Sequence, residues 1–255
     1  GLPLLSETER NPMLTTTYGT GELILHAIEH GYREFIIGIG GSATNDAGLG
    51  MLQALGFRFY DQNGEILGKG GQILDQIVAI DFSSVHPALK DARFTIACDV
   101  RNPFSGPEGA AYVFARQKGA DGAMIEKLDA GMKRFSRLIH STTGREITEV
   151  AGAGAAGGLG GAFLAFLNAE LKPGIELLLR TLKFDEKIKD ADLIITGEGR
   201  VDRQSVMGKV PFGILEEANK QGIPVIVVAG SIADTEVLNK AGFRGIFSIV
   251  PSPMS

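Results

Sequence analysis

Residues 35–50 read Phe35-Ile36-Ile37-Gly38-Ile39-Gly40-Gly41-Ser42-Ala43-Thr44-Asn45-Asp46-Ala47-Gly48-Leu49-Gly50. The first three residues predict a short buried strand, and the glycines at 38–41 let the backbone turn sharply and approach a ligand. Polar side chains then fall where a helix is expected to start, and the free N–H groups there favour a phosphate or carboxylate. The stretch therefore predicts a reaction site, with a glycine-rich turn capped by Ser or Asp as the structural alternative.

Length and composition limit the class of protein. The chain has 255 residues, 44% of them hydrophobic, which suffices for one large α/β domain or two smaller ones. A net charge of -5 without a basic stripe gives no reason to expect nucleic acid. The single cysteine, Cys98, excludes an intrachain disulfide and fits a reducing cytoplasm. The absence of a long apolar run and of a signal peptide favours a cytoplasmic protein without a membrane partner.

The two halves of the chain differ in pattern, which predicts two α/β domains. Residues 1–182 are expected to form a domain with a mixed sheet that carries the glycine-rich loop. From Lys183 onward, short apolar strands alternate with helices, which predicts a Rossmann-like domain with a parallel sheet over residues 183–255. The chain starts without Met and stops soon after its last predicted strand, so we expect a fragment in which the second domain is incomplete.

Glycines followed by polar and charged side chains recur after several predicted strands. They occur at 38–46, at Asp99 and Asn102 after the strand at 93–98, and at 197–202, where a polar loop is expected. Such side chains can hold Mg²⁺, orient a hydroxyl or neutralise phosphate oxygens. Open α/β sheets bind ligands at the carboxyl ends of their strands, so the polar groups after the strands are expected to line a site.

Two further stretches leave both a functional and a structural interpretation open. The threonines at 15–17 could line a pocket or form a loop that caps a helix. The glycines at 152–161 could hold a ligand through main-chain N–H groups or permit tight packing. His26-Ala27-Ile28-Glu29-His30 matches an inverted zinc-protease signature, but a solvated helix face explains the same residues.

A dinucleotide site is the rival interpretation of the first glycine-rich stretch. Residues 38–43 satisfy G-x-G-x-x-A after a strand, and Asp61 follows at the end of the next strand. This would make the protein a dinucleotide-dependent oxidoreductase. However, residues 61–64 predict a hairpin turn rather than a βαβ unit, and the anionic Asp46 would repel a pyrophosphate. Neither a P-loop nor a G-x-S-x-G motif is present.

Several blocks together resemble the bacterial glycerate kinase family, and they span nearly the whole chain. The resemblance is carried by residues 10–12, 16–23, 40–48, 98–100, 117–119, 152–158 and 196–202. Members of that family are longer at both ends, and their N-terminal Pro-Asp-Ser-Phe-Lys and Ala-Asp-Gly-Gly-Glu-Gly blocks are absent here. A non-catalytic fragment that only folds or binds ligand is therefore a third interpretation.

The resemblance implies an enzyme that uses ATP and Mg²⁺ to phosphorylate D-glycerate, at the 2-hydroxyl, giving 2-phosphoglycerate. It also implies two α/β domains with the site in the cleft between them. D-glycerate and ATP are then the expected small-molecule partners, and glycerate metabolism the expected context.

On this resemblance we assign hypothetical roles, each with a helix cap or a surface ion pair as the alternative. Catalytic roles, as base or positioning groups, are predicted for Asp46, Asn45 and Asp99. Binding of substrate or phosphate is predicted for Gly40, Gly41, Ser42, Thr44, Arg200 and Lys209. Metal binding is predicted for Glu198 and Asp202.

Overall fold

The first unit is an α/β layer built on a short parallel sheet. The computed structural model describes residues 1–201 and 210–250, and the chain divides into compact units at Lys172/Pro173. Strands β1 (Glu34–Gly38), β4 (Arg93–Ala97) and β5 (Glu170–Lys172) lie side by side in the order β1-β4-β5, all parallel. Strands β2 (Arg58–Tyr60) and β3 (Ala79–Asp81) form a separate antiparallel pair. The unit thus contains parallel and antiparallel strands, but in two sheets.

Helices and buried aromatic side chains form the core of this unit. The helices are α1 (Tyr18–Glu29), α2 (Leu49–Ala54), α3 (Ala110–Phe114), α4 (Gly122–Thr143) and α5 (Ala155–Phe166), with short 3₁₀ helices at Leu2–Leu4, Glu7–Glu9, Gly71–Ile73, Pro87–Asp91 and Arg116–Lys118. In α4, Asp121 caps the N-terminus by accepting from Met124 N at 2.8 Å, and Gly144 ends the helix with φ +73°. Its apolar face, which the spacing predicts, is buried: Ile125, Leu128, Met132, Phe135 and Ile139.

The second unit, from Pro173 onward, is a parallel α/β layer, as the alternating pattern predicts. Strands β6 (Ile194–Val201), β7 (Val225–Ile232) and β8 (Gly245–Ser248) lie in the order β6-β7-β8. Its helices are α6 (Gly174–Thr181), α7 (Phe184–Ile188), α8 (Val210–Asn219) and α9 (Thr235–Ala241). The unit begins ten residues before the boundary predicted at Leu182 because α6 packs on α8, where Ile175 leaves no room for a side chain at Gly213.

None of the helices in the described ranges is long and apolar enough to cross a membrane.

Two local expectations are wrong, and a third is confirmed. The polar loop predicted at 197–202 continues β6 as far as Val201, because Glu198 and Arg200 pair with Ala229 and Ser231 of β7. The helix predicted to start within 42–46 begins only at Leu49. The hairpin turn predicted at 61–64 is confirmed, since Tyr60 and Ile66 form an antiparallel bridge across it, while β2 pairs along its length with β3.

The glycines at 152–161 serve close packing against the first glycine-rich stretch. Ala156, Gly157 and Gly158 have left-handed backbone angles. Gly157 O accepts from Ala47 N at 2.9 Å, and a Cβ on Gly157 would lie 2.1 Å from Thr44 O. A side chain cannot fit there, so this glycine fixes the distance between α5 and residues 44–47. Of the two interpretations left open, the geometry favours packing.

Replacing Gly157 by Ala should destabilise the first unit by about 2 to 4 kcal/mol, since the left-handed backbone and the steric overlap both oppose a methyl group. Gly144→Ala is the matched control: its φ is also positive at +73°, but nothing lies within 4 Å, so we expect only about 1 to 2 kcal/mol. Urea unfolding can be followed by tyrosine fluorescence, because the chain lacks Trp and all four tyrosines, at 18, 32, 60 and 112, lie in this unit. Equal losses for the two variants would contradict the packing role.

Candidate functional site

The parallel order of β1 and β4 brings two polar loops to one edge of the sheet. Gly38 ends β1 and Ala97 ends β4, and the two residues are partners in the sheet. Residues 39–46 and 98–102 therefore start side by side, as the sequence predicts. Together they line a cavity of about 330 Å³, to which the first loop contributes Gly40, Gly41 and Ser42 and the second contributes Cys98 and Asp99.

The same glycine-rich loop also lines a second cavity, of about 410 Å³. Its other wall contains Thr15, Thr16, Thr17 and Thr20, so the threonine-rich loop does border a pocket. Residues 39–42 are common to both cavities. The cavity that Asp99 lines is called the acid-side cavity, and the cavity that the threonines line is called the threonine cavity.

The glycines of the loop leave space at the positions that side chains would occupy, although the carbonyl of Gly41 accepts a hydrogen bond from Leu2 N at 2.7 Å. A Cβ built on Gly38, Gly40 or Gly41 meets nothing within 4 Å, and of the three only Gly41 has a positive φ, at +67°. A side chain at Gly40 would therefore enter the space that a ligand can use, rather than strain the fold. The predicted ligand-binding role of Gly40 and Gly41 is compatible with this open space.

Asp46 is fully buried and holds the surrounding segments together. Its Oδ2 accepts from Thr17 N at 2.8 Å, Thr17 Oγ1 at 2.9 Å and Gly50 N at 3.2 Å, and its Oδ1 accepts from Gly48 N at 3.1 Å. Thr16 Oγ1 adds a longer bond of 3.3 Å. Burial raises the pKa of Asp46, and these hydrogen bonds offset part of the effect.

The N–H groups in the first turn of α2 donate hydrogen bonds within the protein. Gly50 N donates to Asp46, and Met51 N donates to Thr17 Oγ1 at 2.9 Å. The first turn of the helix is thus satisfied inside the protein and does not face a ligand, contrary to the sequence-based expectation. Asp46 and Asn45 border neither of the two cavities. Asn45 is also fully buried, and its Nδ2 lies 3.3 Å from Met132 Sδ.

Lys118 is the functional candidate that the sequence analysis did not select. Only 2% of the residue is exposed, yet it borders the acid-side cavity. Its Nζ donates to Ser42 Oγ at 2.9 Å and to Thr44 O at 2.7 Å. Burial lowers the pKa of Lys118 to about 8, and the negative charge of Asp46 opposes part of this shift. A signal was available, since residues 117–119 belong to one of the blocks that carry the family resemblance.

The remaining predicted residues are distributed over both units. Ser42 and Thr44 are half-buried in the loop, and Asp99 is exposed at the end of β4. Glu198 is half-buried and Arg200 exposed in β6 of the second unit. Asp202 and Lys209 lie outside the described residues. Within the described ranges, no three His, Cys, Asp or Glu side chains lie close enough together to form a metal site. His26, Glu29 and His30 therefore do not form one either.

The structure does not supply the context that a dinucleotide fingerprint needs. After β1 and α2 the chain enters β2, which pairs antiparallel with β3 and not with β1. Asp61 sits in an exposed turn, where its carboxylate accepts from Asn63 N and Glu65 N, both at 2.9 Å. Its side chain therefore stabilises the turn and is not at the edge of the sheet that carries β1.

Parallel strands that end in a glycine-rich loop beside cavities form the kind of site at which α/β proteins bind small ligands. Comparison with known proteins gives the particular family. The sequence model of the glycerate kinase family matches residues 1–255. The chain belongs to the glycerate kinase family, whose members are phosphotransferases.

The relatives cover the whole chain and extend beyond it. A glycerate kinase of Halalkalibacterium halodurans is 48% identical over 256 residues, which are 100% of this chain and 67% of the relative. Glycerate 2-kinase of Escherichia coli K12 is 48% identical over 99% of this chain and 66% of its own length. A crystal structure assigned as a candidate glycerate kinase 2 from Salmonella typhimurium LT2 has a TM-score of 0.86 at 45% identity, over 98% of this chain and 65% of that one. The chain thus spans about two thirds of the length of these relatives.

Substituting Thr17 by Val should destabilise the first unit by about 2 to 3 kcal/mol, because it leaves Met51 N without an acceptor and removes a donor from the buried Asp46. Thr17→Ser is the control, since it keeps the hydroxyl and loses only a methyl group, at about 1 kcal/mol. Urea unfolding followed by tyrosine fluorescence measures the free energy of unfolding of both variants. If Ser proves as costly as Val, packing rather than the hydroxyl stabilises this region.

The pKa of Lys118 also predicts how stability depends on pH. The folded value of about 8 lies below the unfolded value of about 10.4, so between them the unfolded chain binds more protons and the free energy of unfolding rises with pH. Lys118→Met removes this contribution, so the variant's stability relative to wild type should fall between pH 7 and pH 9.5. Asp46, Asp99 and Cys98 face the same region and are unchanged in both proteins. A difference that does not vary with pH would contradict the shift.

Proposed function

We propose that the protein catalyses the ATP-dependent phosphorylation of D-glycerate at its 2-hydroxyl, giving 2-phosphoglycerate. Membership of the glycerate kinase family at 46–48% identity to several bacterial glycerate kinases supports glycerate as the substrate. The name of the Escherichia coli relative, a glycerate 2-kinase, supports the 2-position. The observation that carries the proposal is the open glycine-rich loop between two cavities.

The loop fits a phosphoryl-transfer site because nothing lies within 4 Å of the side-chain positions of three of its glycines and because hydroxyl-bearing residues line the cavity beside it. Gly40, Gly41, Ser42 and Thr44 are the residues proposed to bind substrate and phosphate, with the threonine hydroxyls opposite them. When bound, ATP supplies the phosphoryl group and Mg²⁺ neutralises charge on its oxygens. Phosphoryl transfer depends chiefly on alignment and charge stabilisation, and a rigid, open loop provides alignment.

The three proposed catalytic residues differ in what their surroundings permit. Asp99 borders the acid-side cavity and is the carboxylate that could accept a hydrogen bond from a substrate hydroxyl. Asp46 accepts only main-chain and threonine donors, so we propose that it positions the loop, together with Asn45 beside it. Binding of Mg²⁺ by Glu198 and Asp202, and of phosphate by Arg200 and Lys209, stays a prediction from the family resemblance.

The function can be tested by incubating the protein with ATP–Mg²⁺ and D-glycerate and identifying the product by ³¹P NMR. Two forms should be assayed: the chain of 255 residues, and a chimera in which it replaces the matching region of Escherichia coli glycerate 2-kinase. Formation of 2-phosphoglycerate by either form supports the proposal, and 3-phosphoglycerate would overturn the 2-position. Failure of both folded forms to transfer phosphate would contradict the function.

Gly40→Ala tests whether the reaction takes place at the loop. A methyl group there enters the shared wall of the two cavities without backbone strain, so kcat/KM should fall by about tenfold or more while stability is unchanged. Gly68→Ala is the control, because a Cβ on Gly68 also meets nothing within 4 Å and that residue borders neither cavity. Full activity of Gly40→Ala would place the reaction elsewhere.

A further inference from the structure

Lys118 is a buried cation with neutral hydrogen-bond partners. Its two bonds go to a serine hydroxyl and a main-chain carbonyl, Ser42 Oγ and Thr44 O. Among the described residues, no carboxylate lies within the 4.0 Å that defines an ion pair with its Nζ. Buried charges are normally paired, because removing an ammonium group from water is costly. The negative charge of Asp46 offsets part of this cost, and the lowered pKa of Lys118 agrees with a remaining cost that its contacts within the protein do not offset.

The acid-side cavity offers a place where a negatively charged ligand can lie beside Lys118. It is lined by both Lys118 and Ser42. Because Ser42 Oγ accepts the hydrogen bond from Lys118, its own O–H remains a donor for a ligand. Asp99 borders the same cavity and can accept a hydrogen bond from a hydroxyl group.

We propose that Lys118 and Ser42 bind the carboxylate of the acceptor acid and make the site specific for an acid over an uncharged polyol. This inference rests on the proposed function and adds to it the subsite for the acid. Ser42 donates its O–H to a carboxylate oxygen, and Lys118 provides the positive charge behind it.

Charge and size favour the carboxylate of a small acid over a polyphosphate in this cavity. Lys118 and Asp99 bring one positive and one negative group, which suits a ligand with one carboxylate and a neighbouring hydroxyl. A polyphosphate carries several negative charges and would be repelled by Asp99. A volume of about 330 Å³ is sufficient for a three-carbon acid and small for a nucleotide. In the threonine cavity, by contrast, the side chains that line the wall are uncharged.

The pKa of Lys118 agrees with such a role. Burial lowers it to about 8, so part of the lysine is neutral in mildly alkaline solution. A bound carboxylate favours the charged form, so binding should take up a proton there. Asp46, Asp99 and Cys98 are the other titratable groups near this lysine, and we expect acid binding to weaken as the pH rises through about 8.

The test compares two acceptors of nearly equal size, D-glycerate and its amide, which has an uncharged amide group in place of the carboxylate. In Lys118→Met, kcat/KM for D-glycerate should fall by about a hundredfold, mainly through KM. The kcat/KM for the amide and the KM for ATP should change little in this variant. Lys118→Arg, which keeps the charge, should recover part of the preference for the acid. Arg116→Met is the matched control, because it removes an exposed cation from the same 3₁₀ helix.

Stability separates this role from a structural one. Because the buried charge is costly, Lys118→Met should be at least as stable as wild type at pH 7 while it loses the preference for the acid. Equal losses with D-glycerate and the amide, or an unchanged preference for the acid, would overturn the inference and leave the proposed function intact.

Calorimetric titration with D-glycerate makes the inference testable even if neither form transfers phosphate. That failure would contradict the proposed function alone. Binding of D-glycerate to wild type that is lost in Lys118→Met and kept in Arg116→Met would then support the acid subsite. Equal binding to all three proteins, or none to wild type, would overturn it.

Discussion

The hydrogen bonds of the buried Asp46 carboxylate are the constraint on which the site depends. They join Thr17, which precedes α1, to Gly48 and Gly50 at the start of α2. With these donors satisfied internally, the segment behind the glycine-rich loop is fixed. The space beside Gly38, Gly40 and Gly41 is then the part of this stretch that remains available to a ligand.

A buried cation and a buried carboxylate lie at the two ends of the same short segment. Lys118 binds Ser42 and the carbonyl of Thr44, and Asp46 lies two residues further along the chain. Behind the segment, Gly157 packs so closely on Thr44 that a larger residue cannot fit. Residues 42–46 therefore have little freedom to move. A rigid segment with a buried cation suits phosphoryl transfer, in which alignment contributes more than a general base.

Local patterns were sufficient to predict much of the fold. The alternation of strands and helices after Lys183, the apolar face of α4 and the meeting of the loops after β1 and β4 all follow from residue spacing and from the parallel order. The late start of α2 was not predictable, because it depends on Thr17, which lies 29 residues before Asp46. The burial of Lys118 was not predictable for the same reason, because it depends on contacts with residues 74 and 76 positions away in the sequence.

A crystal structure with bound D-glycerate would show whether the glycine-rich loop and the buried lysine together form the acid-binding part of the site. We expect the carboxylate within hydrogen-bond distance of Ser42 Oγ, next to Lys118, with a hydroxyl group of the ligand toward Asp99. A D-glycerate molecule bound away from these residues, with its carboxylate on other groups, would contradict this expectation.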